Sequence, residues 1–480
     1  MRGRVIVGVL MPIVVLVGAG GYLAADAADL VPGWVTLAAE PVPPAPFISA
    51  APVEPSAAPG TLVAPLFDPD APLPDAAKVQ ALAQALRDDP RTGASTNVSV
   101  IDLITGDTLA DLGGAEGQVP ASTTKLLTAI AVVTALGPDH RLETVALYDA
   151  KRSELALVAG GDMLLAADAG NGAAQDAADA PTPAERSVGY AGLGDLADQV
   201  AQALTARGVT SVTVVADTSR FPGPAYPVEW PSYALQQGYA APVTGLAVNA
   251  GRKTAEDYAQ RWPDPAANAA DEFAARLSER GIAATRGNAR AGAAGDEVGR
   301  VESAPLADVV AYMLHVSDNT IAEDLSRVVA IESGRVATPT NSMAAVTEAL
   351  GSLGVDLSGL SLYDGAGFST RNRIPPSTLT HALRAAALAE PTHEVLGWLA
   401  VGGLTGTLDD RFTSSPGTGV VRAKTGSLTG VTALAGVVLT TDGRPLIFAA
   451  LADEMPYGQE GPRTAIDEFA DALAQCGCQP

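Results

Sequence analysis

Residues 120–138 read PASTTKLLTAIAVVTALGP, which places a serine and a lysine at the start of a long apolar segment. Residues 126–136 carry no charge and a Gly-Pro pair ends them, so the pattern predicts a buried helix with Ser122 in its first turn. A spacing of three residues puts Ser122 and Lys125 on one face of that helix. A lysine that burial or a second cation makes easy to deprotonate can act as the base for such a serine. Taken alone, the motif is also typical of a plain helix N-cap.

A second polar group, Ser317-Asp318-Asn319, lies between two predicted helices, one at residues 306–316 and one from Thr320 onward. The Ser317 hydroxyl can relay a proton between a catalytic amine and a leaving nitrogen, and the Asn319 amide can hold both the lysine and a substrate backbone. In isolation, the tripeptide is more typical of an Asx-type junction between two helices.

The third group, Lys424-Thr425-Gly426-Ser427, directly precedes a strand that is predicted to start near Val431. The chain has only five lysines, so a Lys-Thr-Gly triplet is expected by chance only about 0.04 times. The glycine would let a substrate lie close to the strand, the two hydroxyls could bind a carboxylate, and Lys424 would supply positive charge. The alternative is a turn at the entry to a strand, with a solvated lysine.

The elements at the two ends of the main body predict a sheet that the chain leaves and rejoins. Residues 75–112 predict a helix followed by a β-hairpin, and residues 431–474 predict a β-hairpin followed by a helix. One sheet can contain both hairpins only if the chain between them forms separate material. We therefore predict a mixed α and β protein in which residues 141–295 form an inserted α/β domain.

Composition and charge exclude several classes of function. Of the 480 residues, 47% are apolar but only 5% are aromatic, so we expect a large aliphatic core. The net charge of −24 disfavours nucleic acid as a partner. The four histidines show no metal-ligand spacing, and Cys476 and Cys478 are too few to complete a structural zinc site. We expect neither a metal nor a nucleic-acid partner.

The N-terminal residues predict export. Two arginines precede an uncharged run at residues 5–25, which is the layout of a secretory signal and is also long enough to span a bilayer. Residues 1–27 are therefore interpreted as a signal peptide or a membrane anchor, and membrane association through this segment stays open. The proline-rich residues 28–74 follow as a linker. We expect the protein to act outside the cytoplasm, in the cell wall or at the outer face of the cytoplasmic membrane.

The three motifs occur together in the order Ser-x-x-Lys, Ser-Asp-Asn and Lys-Thr-Gly, the set known from penicillin-binding proteins and class A β-lactamases. A separation of 195 residues between Ser122 and Ser317 leaves room for a whole domain, whereas a class A β-lactamase resembles one compact domain. In this respect the chain resembles the class C low-molecular-mass penicillin-binding proteins, the D-alanyl-D-alanine carboxypeptidase and endopeptidase family.

The resemblance extends over most of the chain from residue 75 to residue 475. It includes residues 120–126, 239–243, 364–372 and 402–408. It implies an α+β fold with a penicillin-binding, transpeptidase-like domain, in which an antiparallel sheet is flanked by helices and joined by an all-helical part and a large inserted domain. The catalytic domain would be discontinuous and comprise residues 75–140 and 296–480. The family pattern differs in this chain at Ala366 and Phe368, and Thr370 precedes Arg371.

The resemblance also implies a mechanism that needs no cofactor. Lys125 would accept the proton of Ser122, whose oxygen would attack the penultimate D-alanine carbonyl of a peptidoglycan stem peptide. Backbone N–H groups of Ser122 and Ser427 would hold the oxyanion, Ser317 would pass the proton onward, and Asn319 would orient the substrate. β-Lactam antibiotics would acylate Ser122 as covalent inhibitors. The implied catalytic residues are Ser122, Lys125, Ser317, Asn319 and Lys424, and the implied substrate-binding residues are Thr425, Gly426, Ser427 and Arg371.

Two other functions stay open on the sequence alone. A β-lactamase would use the same acylation but hydrolyse the adduct rapidly. A cell-wall-binding or sensor protein would keep the motifs but lack catalysis, and the long linker and inserted domain are compatible with that role.

Overall fold

The computed structural model describes residues 70–172, 183–256, 258–455 and 460–477, which belong to one compact unit. The predicted signal or anchor segment and the linker up to residue 69 lie outside the described residues. Among the helices that the structure describes, none is long and apolar enough to cross a membrane.

The helices of the described residues pack around two sheets and are numbered in chain order. They are α1 (Ala76–Arg87), α2 (Thr124–Leu136), α3 (Pro183–Arg186), α4 (Leu193–Ala206), α5 (Tyr233–Gln236), α6 (Pro265–Glu279), α7 (Leu306–Val316), α8 (Asn319–Glu332), α9 (Pro339–Ser352), α10 (Pro376–Leu388) and α11 (Glu460–Ala474). Short 3₁₀ turns lie at Ala121–Thr123, Asn249–Gly251, His393–Trp398 and Gly406–Leu408.

The strands of the described residues are likewise numbered in chain order. They are β1 (Ser95–Asp102), β2 (Thr108–Leu112), β3 (Glu143–Asp149), β4 (Glu154–Val158), β5 (Asp162–Leu165), β6 (Ser211–Asp217), β7 (Leu246–Val248), β8 (Ala283–Arg286), β9 (Asp296–Glu302), β10 (Ala400–Val401), β11 (Val421–Leu428), β12 (Val431–Leu439) and β13 (Pro445–Asp453).

The larger sheet joins the two ends of the described chain. Its strand order is β10-β11-β12-β13-β1-β2, and all neighbouring strands are antiparallel. β1 pairs with β13 along its whole length, from Ser95 opposite Asp453 to Asp102 opposite Leu446. The prediction that the N-terminal and C-terminal hairpins close into one sheet is therefore confirmed.

Helices cover both faces of this sheet, which explains why β12 and β13 are almost entirely apolar. Because alternate side chains of a strand point to opposite faces, Leu446 and Phe448 of β13 pack with α1 and α11, whereas Ile447 and Ala449 join the core on the other face. Helix α10 packs against β13 and β1.

Helix α2 is buried on all sides from Thr124 to Val133, as its largely apolar sequence predicts. It packs against α8, α9 and α10, and the 3₁₀ turn Ala121–Thr123 at its start contacts β11 and β12. The first turn of α2 is thereby fixed between the larger sheet and the helical part of the molecule.

A second, mixed sheet has the strand order β8-β6-β4-β3-β9. β6 runs parallel to β4 and β8, whereas β3 runs antiparallel to β4 and β9, and helices α4 and α6 pack on this sheet. β9 forms its backbone hydrogen bonds with β3, and the predicted start of the second catalytic segment at residue 296 stays a prediction. The other domain bounds stay predictions. Apolar residues of β4 and of α2 belong to one continuous core.

A buried ion pair joins the turn after β12 to the end of β1. The Arg444 Nε–Asp102 Oδ1 distance is 2.6 Å and the Nη2–Oδ2 distance is 2.7 Å. Burial by itself would raise the pKa of Asp102, but hydrogen bonds from Arg444 and Thr105 outweigh it and lower that pKa. The bidentate pair therefore stabilises the closure of the sheet with Asp102 ionised.

We predict that Arg444→Met lowers the free energy of unfolding by about 3–5 kcal/mol, because Asp102 would stay buried without its main partner. Urea denaturation of the purified protein would measure this change. Arg152→Met is the matched control, since Arg152 pairs with Asp149 at the surface and such pairs contribute less than about 1 kcal/mol. Equal small effects of both substitutions would contradict the prediction.

Candidate active site

Ser122 and Lys125 lie at the start of α2 with their side chains in contact, as their spacing predicts. The Lys125 Nζ–Ser122 Oγ distance is 3.0 Å. Ala121, which precedes the serine, has a φ of 47°, a left-handed conformation that is unusual for alanine. Ser122 follows this bend and lines a cleft.

Lys125 is completely buried, and three oxygen atoms surround its amine. Besides Ser122 Oγ, they are Asn319 Oδ1 at 2.7 Å and the Ala366 carbonyl oxygen at 2.7 Å. The Asn319 amide is oriented by its Nδ2, which donates to the Tyr239 carbonyl at 3.0 Å. Because the two nearer oxygens can only accept, a neutral lysine that donates to both directs its lone pair toward Ser122.

Burial lowers the pKa of Lys125 to about 7, although the carboxylates of Asp364 and Asp318 partly raise it. A large share of the Lys125 side chains is therefore neutral near pH 7, which an exposed lysine would not be. The arrangement gives Ser122 a base within hydrogen-bond distance.

The Ser317-Asp318-Asn319 group forms the junction between α7 and α8, as the Asx-type interpretation predicts, and its catalytic role stays a prediction. Ser317 ends α7 in a left-handed conformation, with φ 58° and ψ 37°, and lines the cleft. Asp318 caps α8 by accepting from the N–H groups of Thr320 and Ile321, which places Asn319 on the first turn.

The carboxylate that caps α8 is completely buried between two arginines. Arg252 Nη2 lies 2.8 Å from Asp318 Oδ2, and Arg261 Nη2 lies 3.6 Å from the same oxygen. Burial by itself would raise the pKa of Asp318, but Arg261 and Arg252 outweigh it and hold that pKa below its usual range. The junction that carries Ser317 and Asn319 is therefore held by an ionised carboxylate.

The Lys424-Thr425-Gly426-Ser427 group directly precedes β12, which starts at Val431 as the sequence analysis predicted, and the group itself lies within β11. Lys424 is completely buried, so the alternative of a solvated lysine is wrong. Its Nζ donates to the Thr425 carbonyl at 3.1 Å, and Thr425 Oγ1 hydrogen-bonds to Thr407 Oγ1 at 3.0 Å. Burial lowers the pKa of Lys424 well below its usual value, and the charges of Lys125 and Arg411 lower it further.

The structure gives a reason for a glycine at position 426 that differs from the predicted one. A Cβ atom at this position would lie 2.6 Å from the Pro120 carbonyl oxygen and 3.3 Å from Ala121 Cβ. The glycine therefore lets β11 approach the turn that carries Ser122, and its predicted contact with substrate stays a prediction.

All three motifs meet at one cleft with a volume of about 930 Å³. The motif residues that line it are Ser122, Ser317, Asp318, Asn319, Thr425 and Ser427. Its aromatic lining residues are Tyr233, Tyr239, Tyr258 and Phe368. Lys125 and Lys424 are buried next to lining residues, at Ser122 and Thr425. In the part of the chain that the structure describes, no group of three or more His, Cys, Asp or Glu side chains is placed to hold a metal ion.

Arg371 is not among the residues that line this cleft. Its Nη1 lies 2.6 Å from Glu229 Oε1, and its guanidinium lies 4.0 Å from the centre of the Tyr363 ring. This side chain is 57% exposed. The substrate-binding role that the resemblance implied for Arg371 is therefore not supported by the geometry.

The sequence analysis singled out residues 364–372 but missed that this loop supplies the Ala366 carbonyl to Lys125. Asp364 organises this loop and is completely buried. Its carboxylate accepts hydrogen bonds from the backbone N–H groups of Gly367, Phe368 and Ser369 and from the side chains of Asn372 and Trp230. A backbone carbonyl leaves no mark in a sequence, but an Asp followed by Gly could have indicated a side chain that organises a turn.

Comparison with protein families gives one match over most of the chain. The model of the D-Ala-D-Ala carboxypeptidase 3 (S13) family matches residues 78–261 and 256–476. Carboxypeptidase DacB of Mycolicibacterium smegmatis is 34% identical over 469 residues, which cover 94% of this chain and 94% of that protein. A D-alanyl-D-alanine carboxypeptidase of an Actinomadura species is 30% identical over 442 residues, which cover 79% of this chain and 80% of that protein.

A solved structure shares the fold. Penicillin binding protein 4 of Haemophilus influenzae superposes with a TM-score of 0.64 at 22% identity, and the match covers 82% of this chain and 98% of that chain. The predicted α+β class, with an antiparallel sheet flanked by helices, is confirmed by this likeness and by the sheet topology.

We predict that Gly426→Ala lowers the free energy of unfolding by about 1–3 kcal/mol, because the added methyl group would overlap the Pro120 carbonyl oxygen. Urea denaturation would measure the change. Gly397→Ala is the matched control, since no atom lies within 4 Å of a Cβ at that position. A Gly426 variant as stable as the Gly397 variant would show that β11 does not need this close approach.

Proposed function

Because the chain belongs to the D-Ala-D-Ala carboxypeptidase 3 (S13) family, we propose that it is a serine D-alanyl-D-alanine carboxypeptidase that acts on peptidoglycan stem peptides through an acyl-enzyme on Ser122. The observation that carries this proposal is the contact between Ser122 and Lys125, a lysine that burial makes partly neutral near pH 7. A decayed wall-binding protein would have no reason to keep this amine buried and directed at a serine.

Acylation begins when neutral Lys125 accepts the proton of Ser122. The Ser122 oxygen forms a bond to the carbonyl carbon of the penultimate D-alanine, and the carbonyl electron pair moves onto oxygen. Backbone N–H groups of Ser122 and Ser427 hold this oxyanion. When the oxyanion collapses, the bond to the terminal D-alanine breaks, and Ser317 relays the proton from Lys125 to the leaving amine. Water then hydrolyses the ester and restores Ser122.

The β11 group binds the terminal carboxylate of the substrate. The hydroxyl-bearing residues Thr425 and Ser427 line the cleft, and Lys424 is buried directly behind Thr425. Burial and neighbouring cations disfavour the charge on Lys424. A carboxylate in the cleft would favour the charged form, because an opposite charge raises the pKa of a lysine. A free C-terminus is therefore preferred, and β-lactams that present the same carboxylate acylate Ser122.

We also propose that the protein is exported. The support is the layout of residues 1–27, where two arginines precede an uncharged apolar run, and the substrate, which lies outside the cytoplasmic membrane. The same active site can cleave cross-links whose leaving amine belongs to a second stem peptide, so DD-endopeptidase activity is part of the proposal. Membrane association would come through residues 1–27 if that segment is retained.

We predict that a fluorescent penicillin labels the wild-type protein on the peptide that contains Ser122. Ser122→Ala should abolish labelling, because it removes the nucleophile while it leaves the helix start intact. Mass spectrometry of the digested adduct would locate the label, and a retained label in the Ser122 variant would overturn the assignment of the nucleophile.

The activity itself is tested by incubating the protein with a pentapeptide that ends in D-Ala-D-Ala. Release of D-alanine, together with slow turnover of a chromogenic cephalosporin, is the expected result. Rapid cephalosporin turnover without D-alanine release would instead identify a β-lactamase.

We predict that the acylation rate rises with pH and is half-maximal near pH 7, because the reaction needs the neutral form of Lys125 and its pKa is about 7. The rate should be lost as pH falls below that value and reach a plateau above it. Lys125→Arg should remove acylation at every pH, since a guanidinium does not give up its proton. Lys151→Arg, in an exposed turn, is the control. Normal acylation by the Lys125 variant would exclude this lysine as the base.

A further inference from the structure

The backbone segment that supplies the Ala366 carbonyl is clamped between two helices. Thr128 Oγ1 donates to the Gly365 carbonyl at 2.7 Å, and the Gly365 N–H donates to Glu323 Oε2 at 3.0 Å. The next carbonyl along the chain, that of Ala366, accepts from Lys125 Nζ at 2.7 Å. Gly365 is therefore fixed on both sides, directly before the carbonyl that contacts the catalytic amine.

The two clamping residues lie one turn beyond the catalytic ones on the same helices. Thr128 is three residues after Lys125 on α2, and Glu323 is four residues after Asn319 on α8. Side chains at these spacings share a helix face. The contacts form a closed circuit that runs from Lys125 through Ala366 and Gly365 to α8 and returns through Asn319 Oδ1.

We propose that Glu323 is a positioning residue for acylation. It holds the Gly365 N–H so that the Ala366 carbonyl engages one N–H of Lys125 and leaves the lone pair of the amine directed at Ser122. This inference rests on the proposed function and adds to it a residue that does not line the cleft.

The hydrogen bonds at Glu323 use both of its oxygen atoms as acceptors. Its Oε2 accepts from Gly365 N, and its Oε1 lies 3.3 Å from Arg327 Nε, so both oxygens face donors. A glutamine of the same shape has one acceptor oxygen and would turn an NH₂ group toward one of the two donors. The loop also has little room to adjust, because a Cβ at Gly365 would lie 2.9 Å from Ser326 Cβ.

Charged groups surround both Glu323 and Lys125, the two residues that the Gly365–Ala366 segment connects. Burial raises the pKa of Glu323 to about 7, with Arg327 lowering it and Asp364 raising it further. The carboxylates of Asp364 and Asp318 raise the pKa of Lys125, and the charge of Lys125 lowers the pKa of Lys424. A carbonyl acceptor stabilises an ammonium more than a neutral amine, so loss of a well-placed Ala366 carbonyl would lower the pKa of Lys125.

The test compares Glu323→Gln with Asp324→Asn. Asp324 is also a buried carboxyl group on α8, and burial raises its pKa well above the usual value. Its charged neighbours are Arg327, Asp162 and Glu323, but its backbone hydrogen bond comes from Gly245 and not from Gly365. The second-order rate constant of acylation by a fluorescent penicillin is measured across the titration of Lys125, with thermal unfolding as the check of folding.

We expect Glu323→Gln to lower the plateau rate about tenfold to a hundredfold and to move the rising limb of the pH profile to lower pH. Asp324→Asn should leave the position of the limb unchanged. A substitution that only reduced the amount of folded protein would lower the plateau rate of acylation without changing the pH at which the rate is half-maximal. If a folded Glu323 variant had the plateau rate and the half-maximal pH of the wild type, the inference would be overturned. An equal shift of the half-maximal pH in the Asp324 variant would overturn it as well.

Thr128→Val keeps the inference testable if the Glu323 variant fails to fold. This nearly isosteric change removes only the donor to the Gly365 carbonyl, so the same shift of the limb supports the positioning role. An unchanged profile in a folded Thr128 variant counts against it. Failure of the wild-type protein to react with the penicillin would overturn the proposed function instead, which separates the two outcomes.

Discussion

The site depends on keeping the amine of Lys125 out of water, in contact with two oxygen atoms that can only accept and with the hydroxyl of Ser122. A buried amine without partners would cost several kcal/mol, whereas full neutralisation by a carboxylate would keep its proton in place. The structure lies between these limits. Two acceptor oxygens, of Asn319 and Ala366, contact the amine, whereas the carboxylates of Asp318 and Asp364 raise its pKa without a direct hydrogen bond to it. The result is a lysine that can be neutral and still has a fixed direction.

The fold has to bring distant chain segments to that amine. Lys125 comes from α2, Asn319 from the first turn of α8, and the Ala366 carbonyl from a loop that Asp364 organises. These elements can meet because the chain leaves the larger sheet after β2 and returns to it at β10. The segment between β6 and β7 is tied to the site as well, since Trp230 donates to Asp364 and the Tyr239 carbonyl orients Asn319.

The sequence predicted the parts of this arrangement that depend on side-chain identity and periodicity. The bounds of α7, the buried helix after Ser122 and the closure of the terminal hairpins are confirmed, and so is the family that the three motifs indicated. What the sequence did not reveal has physical causes. That the Lys-Thr-Gly group itself lies in a strand depends on the pairing of β11 with β12, which no local pattern reveals. The contact of Arg371 with Glu229 joins residues distant in sequence, and the Ala366 carbonyl leaves no signal in the sequence.

The two buried lysines illustrate how neighbours divide chemical roles between identical side chains. Both amines are desolvated, but the carboxylates of Asp318 and Asp364 favour a proton on Lys125, whereas the groups that act on Lys424 are the cations Lys125 and Arg411. A proton on one lysine therefore opposes a proton on the other. A substrate carboxylate that restores the charge of Lys424 would in the same step make Lys125 a readier base, because two like charges in a dry site disfavour each other. In the proposed mechanism, recognition of the free C-terminus and activation of Ser122 would therefore be coupled electrostatically.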